Sequence, residues 1–222
     1  MPEPLVLPEF RPTLPDLARS RFGWRERTTI AALVALVALA AVALVVVRPR
    51  VDRFTHYVHR GAPATFNLVY DKTRLHRAAP QGEEIVRLEG RRGRVDVTIA
   101  VAPLRLPPAQ GDVAHGLLPA FASHHVDELR ARLHPFALRQ EGRARVNGAP
   151  GYEVRFATGP DGRKTLGNDL MILPSEEEPA GALLVTARRT IAGTLKLGKR
   201  ETSLADATAK AYRSFKYGTA PK

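Results

Sequence analysis

From Thr28 to Val47 the chain runs for twenty residues with no charged residue, no amide side chain and no proline, and nearly every position is Ala, Leu or Val. As a helix rising 1.5 Å per residue this run is about 30 Å long, the thickness of the hydrocarbon core of a bilayer. Two other readings compete. A buried core helix is seldom apolar around its whole circumference for so long, and a cleavable signal peptide has an apolar region of about 7–15 residues ending in small residues. Here the run ends in Val45-Val46-Val47-Arg48-Pro49-Arg50, a poor cleavage context. Residues 28–47 therefore read as a retained signal anchor, one transmembrane helix. Phe22 and Trp24 before it and Phe54 and Tyr57 after it fall where interfacial aromatics are expected.

Arginine placement leaves the orientation tied. Arg19, Arg21, Arg25 and Arg27 precede the span, and Arg48, Arg50, Arg53 and Arg60 follow it. A short N-terminal tail stays most simply in the cytoplasm, and long domains cross largely regardless of their charge. The reading is a single-pass bacterial cell-membrane protein with a cytoplasmic N-terminus and an extracytoplasmic C-terminal domain. Ala31, Ala35 and Ala38 form a small-residue stripe, but a segment so rich in alanine supplies such stripes by chance.

Residues 1–27 hold five prolines, five basic and four acidic residues and no sustained periodicity, as a flexible tail does. Pro12 and Pro15 have the P-x-x-P spacing, which in a solvated tail is commonplace. A basic linker is expected over 48–60, a folded domain over 61–218 and a short tail over 219–222. Within the domain, residues of alternating character mark strands at Ala64–Tyr70 and Arg94–Val101, with a weaker one at Glu83–Leu88 and a turn at Gly90-Arg91-Arg92-Gly93. Leu118, Phe121, Ala122, His125 and Leu129 then recur at helical spacing, which predicts a helix beginning near Leu118 and stopping before Pro135. Phe136–Val146 and the strand with Tyr152, Val154 and Phe156 are expected to fold as a hairpin about Ala149. That register sets Val146 opposite Tyr152, Arg145 opposite Glu153 and Arg143 opposite Arg155. Pro160-Asp161-Gly162 turns into a strand at Leu166–Leu173, and an acidic turn leads to another at Ala182–Ile191. A closing helix is expected with Ser203 and Asp206 as a capping-box variant, Leu204, Thr208, Ala211 and Phe215 on one face and Gly218 as its C-terminal cap. Strands segregated from helices imply an α+β domain, an antiparallel sheet flanked by helices.

The opening strand Phe66-Asn67-Leu68-Val69-Tyr70, the central segment Asn147-Gly148-Ala149-Pro150-Gly151-Tyr152-Glu153 and the closing Ser214-Phe215-Lys216 together resemble PsbP-like domains over about residues 61–218. Bacterial members of that group are often lipoproteins or anchored extracytoplasmic proteins. The resemblance implies an antiparallel sheet between helices and no catalytic residues. One departure is plain: the tryptophan usual after the first strand is missing, and the sole Trp24 lies ahead of the apolar run.

The chain has no cysteine, which excludes disulfides, thiolate metal sites and cysteine catalysis. Four of its seven histidines lie between His115 and His134. His124 with Asp127 or Glu128, and His125 with Glu128, have the one-turn spacing at which two side chains grip one ion, so His124, His125 and Glu128 are the metal candidates. A metal-dependent or hydrolytic module using the His115–His134 region is the alternative function that this supports. No H-E-x-x-H, G-x-S-x-G, S-x-x-K or phosphate-loop glycine pattern occurs, so no catalytic residue and no cofactor is assigned.

The formal charge is +12, from 27 Arg and 7 Lys against 22 acidic residues, and residues 48–222 hold 29 basic against 18 acidic, or +11 of it. Genome composition alone can favour arginine in this way. Held beside a bilayer, the basic residues face anionic lipid or an envelope component; the candidates are Arg91, Arg92, Arg94, Arg143, Arg155, Lys196, Lys199 and Arg200. Nucleic acid would call for aromatics interleaved with the arginines, and aromatics are only 6% of the chain. The expected function is non-catalytic: an anchored binding or accessory domain at the cell envelope, with a cytoplasm-facing regulatory or scaffold domain as a further alternative.

Overall fold

A computed structural model describes residues 34–37, 53–108, 112–193 and 196–219. The chain divides into two units, Met1–Val51 and Asp52–Lys222. In the first, the description covers one helical turn, 34–37, with exposed side chains. The expected tail at 1–27 and the rest of the expected span at 28–47 lie outside the described residues. Among the described residues no helix is long and apolar enough to cross a membrane.

The second unit is an α+β domain. Its elements are β1 (Phe54–His59), β2 (Phe66–Asp71), β3 (His76–Ala78), β4 (Val86–Arg92), β5 (Val95–Pro103), α1 (Leu118–Arg132), β6 (Phe136–Val146), β7 (Ala149–Thr158), β8 (Arg163–Ile172), β9 (Leu183–Ala192), α2 (Lys199–Ser214) and β10 (Lys216–Tyr217). Seven strands form one sheet in the order β3-β4-β5-β9-β8-β7-β6, and β1-β2-β10 form a small second sheet. Every pairing is antiparallel.

Alternation along the strands supplies both faces of the large sheet with apolar side chains, so each face can take a helix. On one face Val154, Phe156, Met171 and Leu173 pack with Leu118, Ala122, Val126 and Leu129 of α1. On the other, Val95, Val97, Ile99, Leu170, Ile172 and Val185 pack with Leu204, Ala211 and Tyr212 of α2 and with the small sheet. Phe66 of β2 stacks on Phe215 at 5.4 Å between ring centroids, both rings fully buried. Burying a ring of that size contributes about 1.5–3 kcal/mol.

Helix α1 begins at Leu118 with Pro119 in its first turn, where a missing N–H costs nothing. A π turn, Val113–Leu117, leads into it, and Asp112 caps that turn by accepting from the His115 N–H at 2.9 Å.

Several expectations need correction. Phe54–His59, assigned to the basic linker, is strand β1: it pairs with β2 along its whole length, with Phe54 opposite Asp71 and His59 opposite Phe66. Phe54 and Tyr57, expected as interfacial aromatics, are sheet residues, Phe54 beneath Lys210 Nζ at 3.5 Å and Tyr57 beside Phe66. The β4–β5 turn is the pair Gly93-Arg94, with Arg92 opposite Val95 and Gly90 to Arg92 in the strand. The β6–β7 hairpin turns on Asn147-Gly148 alone, placing Val146 opposite Ala149, Arg145 opposite Pro150 and Arg143 opposite Tyr152. Asn147 and Gly148 both have positive φ, 50° and 91°, as a two-residue type I′ turn requires. The register thus differs by three residues from the one drawn about Ala149, and an odd shift turns each side chain to the opposite face.

Helix α2 starts a turn earlier than expected. Gly198 is its N-cap, and Glu201 reaches back to the Gly198 N–H at 2.8 Å, so Ser203 and Asp206 lie inside the helix. Gly218 caps no helix: β10 intervenes, and the Gly218 N–H donates to the Thr65 carbonyl at 2.8 Å.

Candidate functional site

Helix α2 packs on β4, β5 and β9, and beside it the same face of the sheet, across β7, β8 and β9, changes from apolar to polar. Glu153, Leu170 and Val185 form one row across these strands, Arg155, Asn168 and Ala187 the next, and Ala157, Leu166 and Arg189 the third. Above them α2 presents Ala205, Thr208 and Ala209, side chains too small to fill the space, and a groove of about 770 Å³ remains between helix and sheet. Thr208 is turned back on its own helix, its hydroxyl donating to the Leu204 carbonyl at 2.9 Å.

On the α2 face the groove lining carries Arg139, Arg155, Arg189 and Arg213 and one carboxylate, Glu153, whereas the ladder turns Arg143, Arg145 and Arg188 to the α1 face. That carboxylate is fully engaged: it accepts from Asn168 Nδ2 at 2.8 Å, from Tyr212 Oη at 3.3 Å and from Arg155 Nη2 at 2.7 Å. Burial, reinforced by Glu153, pushes the Tyr212 hydroxyl far above the usual phenol range, so it stays a donor. Arg145 pairs with Glu176, and Arg188 with Asp169. In the groove, Arg139, Arg189 and Arg213 have no carboxylate within ion-pair distance among the described residues. A partly enclosed cavity lined by one sign of charge focuses the field on an anion.

On the α1 side, alternation places Arg188 and Asp169 instead. Asp169 Oδ2 lies 2.9 Å from His125 Nε2, and Arg188 Nη1 donates to Oδ1. Burial alone would raise this carboxyl, but the His125 hydrogen bond and the Arg188 charge outweigh it and hold Asp169 below the usual carboxylate range. The Arg188 guanidinium also lies over the Phe156 ring, 4.8 Å from its centroid.

The arginine and lysine candidates separate into three places. Arg155 lines the groove, whereas Arg143, opposite Tyr152, is turned to the α1 face. At the other end of α2, the β4–β5 turn meets the start of the helix: Arg94 Nη2 donates to the Lys196 carbonyl at 3.2 Å, and the Arg94 N–H donates to Glu201 at 3.2 Å. Arg91, Arg92 and Arg94 thus belong to the same corner as Lys196, Lys199 and Arg200, although Arg91 is paired with Asp96 at 3.1 Å.

The metal candidates are drawn apart. His124 is exposed and 3.3 Å from Glu128, whereas His125 turns inward to Asp169. Among the described residues no group of three or more His, Cys, Asp or Glu could hold an ion.

Sequence reasoning passed over Arg189, Asn168 and Glu153, which sit within strands otherwise read for their apolar alternates. The available signal was an interruption: Asn168 stands between Leu166 and Leu170, and Arg189 between Ala187 and Ile191, at positions that alternation assigns to a covered face.

No family model matches the chain, and no curated protein matches it. Solved structures do. Cyanobacterial PsbP (CyanoP) from Synechocystis aligns over 77% of this chain and 96% of its own, with 10% identity and a TM-score of 0.49. LpqN of Mycobacterium tuberculosis, described as involved in cell envelope biogenesis, aligns over 77% and 94%, with 12% identity and a TM-score of 0.47. The immunity protein TplEi of Pseudomonas aeruginosa aligns over 81% and 82%, with 11% identity and a TM-score of 0.33. These are likenesses of fold alone.

Proposed function

We propose that this chain is a single-pass, membrane-anchored accessory protein whose α+β domain binds an anionic partner at the cell envelope and performs no chemistry. The observation that carries the reading is the groove under α2, where Arg139, Arg155, Arg189 and Arg213 meet one carboxylate already committed to its neighbours. Concave sites of a few hundred Å³ with few, well-placed polar groups are where ligands bind. The excess of guanidinium over carboxylate selects a negatively charged one. The apolar run Thr28–Val47 supplies the anchor, and the short tail before it favours an extracytoplasmic domain.

The full chain in detergent micelles, titrated with a fluorescent acidic decapeptide at increasing salt, tests the reading. Affinity should fall steeply with ionic strength and weaken in Arg189→Met and Arg213→Met. Binding that ignores both salt and these substitutions would remove the groove from consideration. For the compartment, alkaline phosphatase fused after Lys222 should be active. A silent fusion, with a fluorescent one bright in the cytoplasm, would place the domain on the other side.

A further inference from the structure

Two atoms beneath the groove lining specify more than charge. Asn168 Oδ1 and Arg189 Nε are buried and have no hydrogen-bond partner among the described residues. Native chains leave few such atoms. The ladder makes them neighbours: Asn168 stands opposite Ala187, and Arg189 is the next residue of β9 on that same face. The Asn168 amide is oriented by its Nδ2, which donates to Glu153 Oε1 at 2.8 Å, so its oxygen is left as an unpaired acceptor on the sheet face that it shares with Arg189.

A ligand matched to this pair carries an acceptor anion and a hydrogen-bond donor close together. We propose, building on the anionic groove, that its ligand is the C-terminal end of a peptide, an N-acyl amino-acid carboxylate. The carboxylate meets the guanidinium of Arg189, and the N–H of the same terminal residue donates to Asn168 Oδ1. A phosphate or sulfate ester satisfies the arginine but offers no donor, leaving Asn168 Oδ1 unpaired. The cavity, about 770 Å³, is of the size that encloses small ligands, about 300–1,000 Å³. Because both atoms lie under the lining, the Arg189 side chain rotates aside as the peptide end seats; its long stem has the rotamer freedom to do so.

The test uses the full chain in detergent micelles and four probes: N-acetyl-trialanine, its C-terminal amide, the depsipeptide in which an ester oxygen replaces the last N–H, and inorganic phosphate. The free acid should bind in the groove. Amidation and the ester replacement should each weaken it about tenfold or more. Arg189→Met should abolish the discrimination between acid and amide, and Asn168→Leu that between amide-linked and ester-linked acids. The ester probe on the unmodified chain gives its answer even if Asn168→Leu does not fold. Equal affinity for acid and amide, or no loss with the ester, overturns the proposal. If phosphate binds and its binding is weakened by Arg213→Met while the peptide acid does not bind, the peptide assignment falls and the anionic groove stands. If no anion binds, both fall.

Discussion

His125 of α1 and Asp169 of β8 join helix to sheet, with Nε2 and Oδ2 2.9 Å apart in a setting where the carboxylate is almost wholly buried. Arg188 engages the other carboxylate oxygen from β9. The carboxyl is held below its ordinary value because these two partners outweigh burial. A group whose folded pKa is depressed contributes stability that is complete above its unfolded value, about 3.9 for Asp, and is lost as pH falls through the folded value. Asp169→Asn should therefore cost about 1.5–3 kcal/mol at pH 7. Urea unfolding at pH 7, 4 and 2.5 checks this: the gap between the two proteins should narrow as the medium becomes more acid. A gap that stays constant would show that the charge contributes nothing.

Asn147 stabilises the domain in two ways. Its positive φ forms the β6–β7 turn, and its Nδ2 donates to the carbonyls of Arg213 at 3.0 Å and Phe215 at 2.6 Å, where α2 ends. These carbonyls follow the last helical bonds and need outside donors. Asn147→Gly keeps the turn and removes the donors; Asn147→Ala removes both. Thermal melts should rank native above Gly above Ala, with about 1–2 kcal/mol lost for Asn147→Gly, as each lost bond contributes about 0.5–1.5 kcal/mol. Equal stability of the Gly variant and the native chain would count against the tie to α2.

How much of this was legible in the sequence depends on the length scale of the signal. Leu118, Ala122 and Leu129 announced α1 because one face of a long helix repeats many times, and the alternation in β5 announced a strand for the same reason. The β6–β7 register was misread because Asn147-Gly148 and the following Ala149-Pro150-Gly151 all permit turns, and only the tighter choice satisfies both the ladder and the end of α2. The alternation in Phe54–His59 was hidden by two histidines on the faces, so β1 was taken as linker. The groove was least legible of all. Arg155 was found as a charge, but Arg189 and Asn168 gain meaning only from β8 and β9 lying side by side beneath small residues of α2.

Tyr217 contributes from the small sheet: its hydroxyl lies 2.9 Å from the Ile172 carbonyl and 3.1 Å from that of Gly181, and burial raises it well beyond the usual phenol range. Burial raises Tyr212 likewise, ahead of the effect of Glu153. A group whose deprotonated form is disfavoured by folding keeps its proton until the fold gives way, and above the unfolded value near 10 the chain loses stability as pH rises. Alkaline titration followed at the tyrosinate absorbance should show the signals of Tyr212 and Tyr217 appearing together with unfolding by circular dichroism. Comparison with Tyr212→Phe and Tyr217→Phe assigns them. Tyrosinate formation by either residue in the folded chain would contradict this burial.

Gly167 and Phe156 face each other across the β7–β8 ladder, and a Cβ at Gly167 would lie 2.3 Å from the Phe156 ring carbon Cζ. That ring is buried among the α1 residues, lies tilted against Phe136 at 5.4 Å between centroids and carries Arg188 on its face, so it has no easy retreat. Gly167→Ala should therefore be destabilising by overpacking, about 1–3 kcal/mol. Phe156→Leu alone should cost a comparable amount through lost contacts and residual cavity. Together the two substitutions should cost less than their sum, because the added methyl occupies space that the ring has vacated. A double-mutant cycle by denaturant unfolding measures the coupling. Strict additivity would mean that the ring moves aside freely, and that the close approach at Gly167 does not fix Phe156 beneath Arg188.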